Sequence, residues 1–188
     1  MFALSVRRDE RKEIIGSVAK INIGAGIALA AADYEWTLAR CILVLGKSPT
    51  VILRDKLCSR NTKDDELKKI WQEEIKNSLP ALFDKACKRG SNISWKLIKD
   101  AKEYRNLLMH GIECSIEDKI GLAVIHIYES ACDILYRFAL SQGKNIYDRL
   151  PPRKSRVRTA NSTAKRKYNA QKALKDFCQT HNMLSAGF

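Results

Sequence analysis

Near the middle of the chain, the stretch EYRNLLMHG from Glu103 to Gly111 brings together a permanent cation, an amide and an imidazole, at Arg105, Asn106 and His110. Imidazole is the side chain best suited to move protons near neutral pH, and guanidinium is a charge that never leaves. On a helix turning by about 100° per residue, Glu103, Asn106 and His110 fall in one polar stripe. Arg105 stands at the border of an apolar face made by Leu97, Ile98, Ala101, Tyr104 and Leu108. A carboxylate in line with an imidazole fixes its tautomer, which gives Glu103 a supporting role. Arg105 and His110 splay by roughly 140° on an uninterrupted helix. Either the helix loosens at His110-Gly111, or a second copy facing it completes the site. A twofold interface would place two arginines and two histidines in one cleft.

Helix capping competes with that account. A histidine in a last turn gains about 0.3–1 kcal/mol from the helix dipole, and glycine is the commonest residue just past a helix end. Capping explains His110-Gly111 but leaves Arg105-Asn106 unexplained. Spacing adds weight. With 14 Arg and 3 His in 188 residues, Arg followed by His four to six residues later is expected about 0.7 times by chance. Requiring Asn after the Arg and Gly after the His lowers that to roughly 0.002.

The elements that must position this stretch are helical throughout. From Ile27, the residues Ala30, Ala31, Tyr34, Leu38, Cys41, Ile42 and Leu45 recur at three- and four-residue steps up to a stop at Gly46. Upstream, Gly24, Gly26 and the following alanines form a small-residue face, by default for another helix of the same chain. Ser48-Pro49 starts a short helix through Leu57, with Ser48 as its cap. Asn61 or Thr62 caps a segment striped by Leu67, Ile70, Trp71 and Ile75. Its acidic start, Asp64 to Glu66, suits the helix dipole rather than a metal. Pro80 opens a helix ended by Gly90, and Ser94 caps the motif segment. Ser115 caps the last long one, striped by Ile120, Val124, Ile127, Ala131, Ile134, Leu135 and Phe138 and stopped near Gly143. The expected fold is all-α, a compact bundle of about four to six helices over residues 1–143. Residues 144–188 form a basic extension with room for one more helix.

Charge is concentrated in that extension. Of 34 Lys+Arg and 21 Asp+Glu, 11 and 2 lie from Lys144 onward, so the tail carries +9 of the net +13. Arg153, Lys154, Arg156, Arg158, Lys165, Arg166 and Lys167 are its candidate nucleic-acid contacts, since each neutralised phosphate releases counterions. The six cysteines contain no C-x-x-C pair, so no zinc or redox motif is expected, and no metal or cofactor. The start, MFALSVRRDERKE, has charges where a signal peptide needs its apolar core, and the run Ile23 to Ala32 is too short for a bilayer, where about 20 apolar residues are needed. A cytoplasmic protein without a membrane association is expected.

The motif R-N-L-L-M-H-G at the end of a helix in a small α-helical bundle resembles the HEPN superfamily, whose signature is Arg, a polar residue such as Asn, and His four to six positions on. Arg105, Asn106 and His110 match those positions, and the likeness in architecture spans about residues 25–143. The resemblance implies a dimeric, metal-independent endoribonuclease of toxin–antitoxin, antiviral or abortive-infection systems, with an antitoxin or a larger defence complex as partner. It implies attack by the RNA 2′-hydroxyl to leave 2′,3′-cyclic phosphate ends. His110 would be the acid/base, Arg105 the phosphate clamp and Asn106 an aid to either. Ile112 departs from one toxin branch, which has Tyr two residues after the His. The alternative is a noncatalytic RNA-binding module of the same fold, or a helical subunit of a larger complex. An Arg105 locked in an internal ion pair and a His110 turned from any cleft would favour that alternative. Asp33 and Glu35 are within reach of the site as supporting acids, although a solvated face suits both better. His126 reads as structural, His181 as a tail residue, and Trp36, Trp71 and Trp95 as core anchors.

Overall fold

The computed structural model describes residues 8–57, 64–110 and 118–148, and among them there are seven helices and no strand. The element unforeseen from sequence is the first, α1 (Arg8–Ile21), whose charged start hides a narrow inner edge of Arg11 and Ile15. Asn22 interrupts the helix for one residue and caps α2 (Ile23–Leu45), its side-chain oxygen accepting from the Ala25 amide at 2.9 Å. Tight packing of α1 on α2 follows from the small residues. A Cβ on Gly26 would lie 2.6 Å from the Ala19 Cβ, so this face is filled by the chain itself.

Local signals place the remaining elements. The helix α3 covers Thr50–Leu57, which puts Pro49 rather than Ser48 directly before it, and the Ser48 amide and hydroxyl both donate to Glu74, at 2.9 and 2.8 Å. A buried carboxylate takes charge-assisted donors in preference to leaving them on an exposed turn. The helix α4 (Asp64–Ile75) turns Ile70 and Trp71 into the core; the expected caps at Asn61 and Thr62 lie outside the described residues. Ser78 caps α5 (Leu79–Ala86), after which a π-helical turn, Cys87–Ser91, carries Gly90 at φ +94°. Ser94 caps α6 (Trp95–Met109) by accepting from the Leu97 amide, and α7 spans Asp118–Ser141. Ser115 lies outside the described residues.

The core is built around α2 and α7, which pack along their lengths, with α1, α4 and α6 set against α2. Chain reversal after α7 occurs at Gly143, whose φ of +70° suits a residue without Cβ. The body does not stop there. Ile146 is fully buried, and Arg40 donates to the carbonyls of Ile146 at 2.6 Å and Asp148 at 2.5 Å. Residues 144–148 therefore pack with the bundle. The tail residues Arg153, Lys154, Arg156, Arg158, Lys165, Arg166 and Lys167 lie outside the described residues, as does His181. No described helix is long and apolar enough to cross a membrane.

Candidate functional site

The inner face of α6 is set by Ile98 and Ala101, both buried. Arg105 follows them by seven and four residues and so lies in line with them, deeper than the border position expected from sequence. Leu97 is exposed instead. That rotation brings the guanidinium to α2, where Arg105 Nη1 meets Glu35 Oε1 at 3.4 Å. The pair is long and partly open: the Arg105 side chain is 25% exposed and that of Glu35 49%. Arg105 Nε is buried and has no hydrogen-bond partner among the described residues. An unmet charged donor next to a half-exposed carboxylate leaves this guanidinium with hydrogen bonds still to make.

The polar stripe divides. Glu103 and Asn106 line a cavity of about 340 Å³, whose walls also include Glu35 and Leu38 of α2, Leu67 and Lys68 of α4 and Tyr128 of α7. His110 does not line it. It is the C-terminal cap of α6, exposed, with its amide donating to the Asn106 carbonyl at 3.0 Å. Within one chain, then, Arg105 and His110 share a helix but not a cleft, and Gly111 and Ile112 lie outside the described residues. No family model, curated protein or solved structure matches the chain. The account of this site therefore stands on its own geometry.

Of the two candidate supporting acids, only Glu35 reaches the motif. Asp33 is buried and pairs with Arg11 Nε at 2.8 Å on the α1 side of α2. Burial pushes its carboxyl above the ordinary value, and the Arg11 charge works against that shift. Arg11 also donates to the Tyr147 hydroxyl at 3.0 Å and sits 4.2 Å from the Trp36 ring centroid. This cluster ties α1, α2 and the segment after α7 together, and it is structural. Burial likewise raises the Cys41 thiol to about 12, in keeping with a small core side chain.

Trp71 is the core anchor expected of it. Trp95 is partly buried against the core and also lines the cavity, stacked on Phe83 with ring centroids 5.8 Å apart and with Lys68 Nζ 5.4 Å from its centroid. His126 is exposed on α7 rather than packed. Sequence reasoning singled out Glu103 and Asn106 but missed the other cavity residues on α6. Their signal was a second stripe, Trp95, Ile98, Lys99, Lys102 and Asn106, at three- and four-residue steps beside the buried one. Among the described residues, no three His, Cys, Asp or Glu side chains come close enough together to hold a metal.

Proposed function

We propose that this chain is a metal-independent endoribonuclease of the HEPN type, working as a dimer. The observation that supports it is the state of Arg105, a guanidinium held toward α2 by one long ion pair with its Nε donor unengaged, five residues before an exposed imidazole at the helix end. Five residues of helix separate Arg105 and His110 by roughly 7.5 Å along the axis. Two copies related by a twofold axis at the end of α6 set the arginine of one beside the histidine of the other.

In that arrangement the substrate's 2′-oxygen attacks phosphorus and the bond from phosphorus to the 5′-oxygen breaks. The His110 beside that arginine takes the 2′-hydroxyl proton and then delivers a proton to the departing 5′-oxygen. Arg105 exchanges Glu35 for the phosphoryl oxygens, where its charge stabilises the crowded pentavalent state. The products are a 2′,3′-cyclic phosphate and a 5′-hydroxyl. Partners follow from the same resemblance: RNA as substrate, and an antitoxin or defence complex as restraint.

A second reading, a noncatalytic RNA binder, is favoured by the Arg105–Glu35 pair itself and by the capping position of His110. One assay separates them. Incubated with labelled RNA in excess chelator, the wild-type protein is expected to cleave with cyclic phosphate ends, and His110→Ala to lose about 100- to 10,000-fold in rate. RNA binding without cleavage by the wild type would establish the binder.

A further inference from the structure

The proton transfers proposed above leave the cavity beside Glu35 without a role, although Glu35 connects the two by lining one and pairing with Arg105 in the other. Its volume of about 340 Å³ lies at the small end of the ~300–1,000 Å³ typical of ligand sites. That is room for one small ligand rather than a folded RNA element. The inner walls are aromatic and aliphatic, with Tyr34 and Tyr128 in ring contact at 5.8 Å and Trp95 stacked on Phe83. Three lysines, Lys68, Lys99 and Lys102, share the lining with two carboxylates, Glu35 and Glu103, and Glu35 is already partnered by Arg105. The balance selects an anion with a flat apolar body. Asn106 adds an amide, which both donates and accepts, on the helical turn beyond Lys102 and adjacent in sequence to Arg105.

We propose that this cavity takes one nucleotide of the RNA strand beside the cleaved bond, its base among Tyr34, Trp95 and Tyr128 and its phosphate toward Lys99 and Lys102. The assignment rests on the ribonuclease reading for the source of that nucleotide, and it makes the cavity the determinant of base preference at the cut. Stacking on aromatic side chains holds any base, while an amide at the edge discriminates between bases through the hydrogen bonds it is offered. A fatty acid would satisfy the lysines and the apolar walls, but it would leave the Asn106 amide and the aromatic lining without purpose.

Calorimetric titration of the full chain with each of the four nucleoside 3′-monophosphates, with inorganic phosphate and with octanoate tests this directly. At least one nucleotide is expected to bind about tenfold or more tightly than phosphate or octanoate, and Lys99→Glu to weaken it about tenfold. Lys20→Glu makes the same change of charge on α1 outside the cavity, and should alter binding by less than about twofold if local contact rather than net charge decides. Melting curves for both variants establish that they fold. Nucleotides binding no better than phosphate, octanoate binding best, or Lys20→Glu matching Lys99→Glu would each overturn the assignment. RNA cleavage without nucleotide binding would overturn this inference and leave the nuclease standing. Nucleotide binding without cleavage would keep the cavity and overturn the nuclease.

Discussion

Arg105 and Glu35, seventy residues apart in the chain, meet at 3.4 Å where α6 packs on α2. The pair is weak, because both side chains remain open to water. An ion pair of this exposure contributes about 0–1 kcal/mol to stability. Replacing Glu35 by Gln should therefore leave the melting temperature nearly unchanged and tighten RNA binding severalfold by freeing the guanidinium and removing a like charge from the phosphate's path. Fluorescence anisotropy at fixed salt checks this. Weaker binding by the Gln variant would mean that the carboxylate itself contacts substrate.

Where the tail begins matters for testing it. Cutting after Leu150 spares the bundle and removes residues 151–188, so the melting temperature should hold while the salt dependence of RNA binding flattens, by about 0.7 in log–log slope for each phosphate that the tail had neutralised. Cutting after Gly143 takes away the buried Ile146 and Tyr147, the partner of Arg11, and should cost on the order of 2–5 kcal/mol. An unchanged slope after the first cut would show that the tail does not hold RNA.

The acid limb of stability should trace to Glu74. Burial raises its carboxyl, but hydrogen bonds from the Ser48 amide and hydroxyl and from Lys56 outweigh that and hold it below its ordinary value of 4.5. A carboxylate lowered on folding contributes stability that is fully present above the unfolded value and is lost as pH falls through the folded one. Denaturant melts from pH 7 to pH 2 should show that loss, and Glu74→Gln should be destabilised by about 1–3 kcal/mol at pH 7 with a shallower decline toward acid. An equal decline in both proteins would assign the acid limb elsewhere.

Helices with local signals were legible in the chain, and contacts between distant segments were not. Ser94, Pro80 and Gly143 mark their helix ends by capping or backbone chemistry that depends only on neighbours, and the structure places each there, whereas Gly90 falls inside the π-helical turn that follows α5. The first helix escaped notice because Arg8 to Glu13 is almost all charge and its inner edge is an arginine, whose burial makes sense only with Asp33 and Trp36 beside it. The apolar face of α6 was placed too far toward Leu97, since a helical wheel weighs every apolar residue equally and cannot tell which of them the packing leaves outside. Glu35 looked solvated because it is, and its pairing with Arg105 depends on how α6 lies against α2. The cavity needs five helices at once, so its α6 stripe carried a pattern without a partner to explain it.

The composite site has a direct test in mixed dimers. Arg105→Ala and His110→Ala, each expected to be inactive alone, are refolded together from denaturant so that subunits exchange, and cleavage of labelled RNA in chelator is compared with each variant refolded by itself. If the arginine of one subunit works with the histidine of the other, the mixture recovers cleavage far above either parent. A mixture as inactive as its parents, beside an active wild type refolded in the same way, would contradict a site shared between subunits.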